Sequence, residues 1–246
     1  SNPKAALQKL DSLSLCLDTT QKADVMYLRL LKMTVKDKLY MPFGTLDSVQ
    51  SLAKYYEEEG DKHLLPRAYY MLGRMFVESE DVPSALAAYR KVLAQLEQHE
   101  DIRLRGITNA QLGEMFGRQE ILSLALSFYK EAFLCDSLLA DEVGMLYDMR
   151  DMGTSFDYLG MKDSANVCFR KALTKAREVK DDDMEHELLL HLANSYLDVN
   201  ADSVAKYMFL VNDFELLDRC EEGCIKGAYL QMIGRDKAAD SVFTDI

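Results

Sequence analysis

A forty-residue period with fixed internal intervals constrains this chain more than any other feature. Tyr69-x-x-Leu72-Gly73-x-x-Phe76 is followed by Ala85 and Tyr89. Forty residues on, Asn109-x-x-Leu112-Gly113-x-x-Phe116 is followed by Ala125 and Tyr129. Forty further, Met149-x-x-Met152-Gly153-x-x-Phe156 precedes Ala165 and Phe169. Leu189-x-x-Leu192-Ala193-x-x-Tyr196 then leads to Ala205 and Phe209, and a fifth copy, 34 residues later, carries Gly227, Leu230, Ala239 and Phe243. The small residue precedes the alanine by twelve positions in every copy, and the alanine precedes the aromatic by four. Self-similarity at this length marks a stack of supersecondary units.

The intervals have a physical meaning. Residues three and four apart share one helix face, so each first segment forms a helix with an apolar stripe. The Gly or Ala in that stripe lets a neighbouring helix come close. The alanine twelve residues on is expected on that neighbour, meeting the small residue, and the aromatic one turn later fills the space toward the next pair. Each pair is amphipathic and cannot bury its face alone, so the pairs must stack. Four prolines and twelve glycines in 246 residues are few, which favours helices over a many-turned β fold.

A large residue, Leu-Gly, an aromatic, then Ala and an aromatic: this pattern resembles the tetratricopeptide (TPR) repeat. The resemblance implies an all-α fold, a right-handed α-α superhelix (TPR solenoid) of about six helix pairs. The family's small residue late in the second helix is present as Ala132 and Ala172 but departs as Val92 and Asn212. The family's helix-ending proline is missing throughout. The period exceeds the family's usual 34 residues, so second helices or their following turns are expected to gain six residues, about 9 Å of helix. Upstream, 21–39 reads as a helix through Val25, Leu28, Leu31 and Val35, broken at 40–44 and resumed over 46–59 through Val49, Leu52, Ala53 and Tyr56. A lead helix over 3–17 carries Leu7, Leu10 and Leu13. The expected organisation is one domain, 1–246: lead helix 1–20, degenerate repeat 21–60, repeats 62–100, 101–140, 141–180 and 183–216, and a truncated last repeat 217–246. The chain stops three residues past Phe243, where every earlier second helix continues, so the expectation is a domain cut from a longer protein, with a truncated natural end as the alternative.

A net charge of −12 argues against phosphate-backbone binding, so no nucleic-acid partner is expected. Much of that charge is structural on this reading, because Asp61, Asp81, Asp101, Asp141, Asp163, Asp183, Asp202 and Asp236 fall near helix starts, where a carboxylate caps free N–H groups. Five scattered cysteines do not form a disulfide framework; Cys135 and Cys168 are expected as buried free thiols, and Cys220 with Cys224 lacks the further ligands a metal would need. No phosphate loop or nucleophile elbow is present. His186-Glu187 with His191 fails as a zinc-protease helix, since i+5 turns the second histidine about 100° away, and Asp181-Asp182-Asp183 reads as a turn and a helix start. No catalytic residue, cofactor or metal is expected, and no apolar run has the ~20 residues of a membrane span.

In the family the first helices line a concave groove that holds peptides. Register transfer places Arg67, Tyr70, Arg74 and Glu78 there, then Ala110, Glu114 and Arg118, then Tyr147, Arg150, Thr154, Asp157 and Tyr158, and finally Glu187, Leu190, Asn194 and Asp198. Arg67, Tyr70, Arg74, Arg118, Tyr147, Arg150, Thr154, Tyr158 and Asn194 form the expected peptide-binding groove. Four arginines suit carboxylates, which points to an acidic or C-terminal peptide; the alternative is that they pair with Glu78, Glu114 and Asp157 of the same chain. The known carboxylate-clamp pattern of Lys and Asn is not matched. The expected function is a non-catalytic protein–protein interaction module, with homo-oligomerisation left open. Stretches such as 55–62 and 68–74 also resemble bacterial TPR proteins with a membrane anchor, which implies a sensor domain of a transcriptional regulator or signalling protein. Such an anchored parent would place the domain in the periplasm or at a membrane; otherwise the expectation is cytoplasmic.

Overall fold

The computed structural model describes residues 2–98, 100–197, 199–211 and 219–244, the side chains of 219–221 excepted. Asp198, Asn212 and the Cys220 side chain lie outside the described residues. Thirteen α-helices and no strand occur among the described residues, so the chain is all-α. It divides into two compact units, 1–108 and 109–246. The first holds α1 (Pro3–Cys16), α2 (Lys22–Asp37), α3 (Leu46–Glu58), α4 (Leu65–Glu78), α5 (Val82–Leu96) and the start of α6 (Ile102–Arg118). The second holds the rest of α6, then α7 (Leu122–Leu138), α8 (Glu142–Tyr158), α9 (Lys162–Val179), α10 (Asp182–Ser195), α11 (Ala201–Val211), α12 (Arg219–Met232) and α13 (Asp236–Thr244).

Turn chemistry explains the constant period. The carboxylates of Asp81, Asp101, Asp141 and Asp181 accept the amide N–H groups of Ser84, Leu104, Gly144 and Met184 at 2.9–3.2 Å, satisfying donors the helix start leaves open. At the other end, the N–H groups of Asp81, Ile121 and Met161 each donate to the carbonyl of Phe76, Phe116 and Phe156 at 2.9 Å. Glu80, Glu120 and Gly160 just before them are left-handed, which is the Schellman arrangement. Ala140 and Lys180 repeat it between pairs. At residues 80, 120, 140, 160 and 180 the chain thus reverses by one recurring device.

Several aspartates differ from their expected role. Asp181 caps α10 in place of Asp183, and Asn200 accepts the Ser203 N–H in place of a cap at Asp202. Asp163, Asp183, Asp202 and Asp236 sit inside first turns, where they face the positive end of the helix dipole. Helix length also differs: α6 and α7 have 17 residues each, α8 has 17 and α9 has 18, so both helices of a pair are long.

The partner of each repeat glycine is the aromatic sixteen positions on, which corrects the expected alanine. A Cβ on Gly73 would lie 2.4 Å from the Tyr89 ring, on Gly113 2.6 Å from Tyr129, on Gly153 2.5 Å from Phe169 and on Gly227 2.4 Å from Phe243. The reversal at residue 80 is the reason. It sets position 73, seven residues before the turn, opposite position 89, and leaves Ala85 nearer the turn. Ala85, Ala125, Ala165 and Ala239 are fully buried.

The fourth pair departs from the register. Val204 is fully buried and Met208 nearly so, whereas Phe209 is 71% exposed and Ala205 half-buried. The expected Ala205 and Phe209 have yielded their places to the residues one position earlier. The turn supplies the cause: Asn200 caps α11 and its carbonyl accepts the Val204 N–H, as Asp81 does for Ala85, so α11 starts one residue earlier than the forty-residue period places it. Cys135 is buried as expected, whereas Cys168 is only half-buried, with its thiol pushed up chiefly by desolvation.

Candidate functional site

The first unit holds three of the expected groove residues. Arg67 pairs with Asp101 at 3.0 Å and Arg74 with Asp37 at 2.8 Å. Tyr70 is buried, its ring 5.9 Å from that of Tyr89. These side chains hold helices together and leave little open surface.

In the second unit a cavity of about 240 Å3 opens between α6, α7 and α8. Glu114, Gly117 and Arg118 of α6, Leu122 and Tyr129 of α7, and Asp151, Thr154, Ser155 and Tyr158 of α8 line it. Of the expected residues, Arg118, Thr154 and Tyr158 meet there. Tyr158 is 76% exposed, while Thr154 turns its hydroxyl back to the Arg150 carbonyl at 3.1 Å. Arg118 is 71% exposed and donates to Glu114 at 2.5 Å. An exposed pair one helical turn apart contributes about 0.3–0.5 kcal/mol, so a ligand can rearrange it.

Arg150 has another role. It donates to Asp151 at 2.6 Å and to Glu187 at 2.9 Å, with its side chain only 25% exposed, and its guanidinium lies 5.4 Å from the Tyr147 ring. Stripping one partner from such a covered ion network costs about 3–5 kcal/mol, so Arg150 is a fixed strut between α8 and α10. Glu187 is held down to about 2 by His191, whose Nε2 lies 3.6 Å away, and by Arg150. Asn194 is exposed on α10, Leu190 is buried, and Asp157 pairs with Lys162. Each of the four arginines therefore pairs with an acid of its own chain.

Five cavity residues were not expected from sequence: Gly117, Leu122, Tyr129, Asp151 and Ser155. Tyr129 is 7% exposed, and its hydroxyl hydrogen-bonds to no described residue. A Cβ on Gly117 would stand 3.6 Å from that hydroxyl, so the missing side chain keeps the cavity open above it. Burial pushes the Tyr129 phenol up, with Asp151 and Glu114 adding to the shift against Arg150. Asp151 is pushed up to about 6 by burial, a shift that Arg150 opposes and Glu114 and Glu187 increase. A sequence signal was available: 151, 154, 155 and 158 follow the i, i+3, i+4, i+7 pattern of one helix face.

The histidines separate. His191 stacks on Phe169 at 4.9 Å between centroids, while His186 is buried. Among the described residues no three His, Cys, Asp or Glu side chains gather as a metal site, and no helix is long and apolar enough to cross a membrane.

No protein-family model and no curated protein matches the sequence. Solved structures do match by fold. BtubC (BKLC) from P. vanneervenii has a TM-score of 0.63 at 14% identity, with 86% of each chain covered. Aspartyl phosphate phosphatase F from Bacillus subtilis scores 0.64 at 13% identity over 96% of this chain and 61% of that one. A signal transduction ATPase with a tetratricopeptide repeat sensor from Pyrococcus horikoshii scores 0.55 at 13%, covering 90% of this chain and 41% of its own. With its antiparallel helix pairs and glycine–aromatic contacts, the chain has the TPR-like helical-repeat fold.

Proposed function

We propose that the protein is a non-catalytic interaction module whose second unit binds a polypeptide segment along α6, α8 and α10. The observation that carries this reading is the cavity at α6–α8, where exposed Arg118 and Tyr158 border the buried Tyr129, whose hydroxyl has no hydrogen-bond partner among the described residues. Such a surface offers an extended chain both apolar area and hydrogen-bonding groups. The acidic preference expected from four arginines loses its premise, since each already has a carboxylate beside it. Selection of short random peptides on phage, followed by amide shift mapping on the 15N-labelled chain, tests the reading. Shifts grouped on 114–118, 150–158 and 187–194 are expected; binders that map to second helices, or no binders at all, overturn it.

A second reading, a sensor domain of a membrane-anchored bacterial regulator, draws support from the sensor and phosphatase proteins that share the fold. The parent gene tests it. An apolar span followed by a coiled coil or DNA-binding helices after residue 246 is the expected arrangement, and a stop codon there sinks it.

A further inference from the structure

We propose that the cavity between α6, α7 and α8 anchors a lysine or arginine side chain of the bound polypeptide, with Asp151 as its counter-ion and the Tyr129 hydroxyl as a second acceptor. The inference rests on the polypeptide-binding reading and adds the class of residue recognised.

Size comes first. At about 240 Å3 the cavity falls below the usual ~300–1,000 Å3 of clefts for drug-sized molecules, and suits one long side chain. Its polar groups come second. Tyr129 is more than nine-tenths buried, lines the cavity, and has a hydroxyl with no hydrogen-bond partner among the described residues. Asp151 lines the same space, and Arg150 donates to its Oδ1. An ammonium or guanidinium entering there would donate to both.

The sign of the charge decides between a cation and an anion. The lining carries two carboxylates, Glu114 and Asp151, against one cation, Arg118. A carboxylate side chain would add to that excess of acid, whereas a cation would offset it. Arg118, the one cation on the rim, is exposed and tied to Glu114; if it swings outward it frees a second carboxylate. Tyr158 offers its ring to a guanidinium or to a methylene stem.

The test uses the full chain and the tightest peptide from the phage selection. Labelled versions carrying Lys, Arg, norleucine or Glu at the residue whose replacement most weakens binding are titrated by fluorescence anisotropy. The Lys or Arg peptide is expected to bind about tenfold more tightly than norleucine, the scale of one charge-assisted hydrogen bond. That preference is expected to vanish in Asp151→Asn and to fall about threefold in Tyr129→Phe, which keeps the ring over Gly113. Gly117→Leu, which fills the cavity from α6, separates loss of the site from loss of folding: it should abolish the preference while the thermal midpoint stays near wild type. A Glu peptide that binds best, or a cationic preference that survives Asp151→Asn, overturns the proposal. Equal binding of all four peptides removes the cationic anchor and leaves polypeptide binding standing; a selection without binders removes both.

Discussion

A methyl group at Gly113 would stand 2.6 Å from the Tyr129 ring, too close for any carbon contact. Ring and helix must then part, so Gly113→Ala is expected to lower unfolding free energy by about 2 kcal/mol, within the range for overpacked cores. Urea unfolding checks this, and a change below the error of the measurement would mean the ring moves freely. Asp148 on α8 is a second residue with a clear consequence. It is 3% exposed, its Oδ2 has no hydrogen-bond partner, and its carboxyl is pushed up to about 8 by burial and by the neighbouring, hydrogen-bonded Asp136. The folded value lies above the unfolded one of about 3.9. The stability this carboxyl contributes is therefore full below pH 4 and lost as pH rises toward 8. Asp148→Asn is expected to be more stable than wild type at pH 8 by about 2 kcal/mol or more than it is at pH 4. Denaturant curves at the two pH values decide it; a difference that does not change with pH would place an ionised carboxylate there.

At the scale of helices, α11 offers the sharpest test. The sequence pattern marks Ala205 and Phe209 as the packed pair, yet Val204 and Met208 are buried and Phe209 is largely exposed. Met208→Ala is expected to cost about 2–3 kcal/mol. Phe209→Ser is expected to stay within about 0.5 kcal/mol of wild type. Thermal or urea unfolding of the two variants would show the reverse order if the forty-residue register held. Elsewhere helix identity was plain from sequence, because apolar spacing runs along α4 to α9 and Asp81, Asp101 and Asp141 cap α5, α6 and α8. The slip was hidden because the interval from 193 to 209 is preserved. Only the turn before α11, where Asn200 in place of residue 201 caps the helix, moves each later position by one.

At the scale of the whole molecule, a charge of −12 gives the proposed cationic anchor a long-range counterpart. Association of a lysine-bearing peptide is expected to slow several-fold between roughly 0.05 and 0.5 M salt, as the Debye length shrinks from over 10 Å to a few. Stopped-flow measurements check this, and a salt-independent rate would argue that apolar contact alone brings the peptide in. Part of the charge is committed elsewhere, since Asp81, Asp101, Asp141 and Asp181 cap helices.

The helical-repeat fold followed from sequence alone, since periodicity, small residues and caps are local or evenly spaced signals that survive without coordinates. The candidate site was only half legible. Arg118, Thr154 and Tyr158 follow from repeat register, but Tyr129 reads from sequence as core filler and Asp151 as a neighbour of Arg150. Which acid each arginine pairs with, how a phenol is covered and where a cavity opens depend on distances between helices tens of residues apart in the chain. Those distances are set by packing, where a one-residue shift of a helix start or a missing side chain, as at Asn200 and Gly117, changes the outcome.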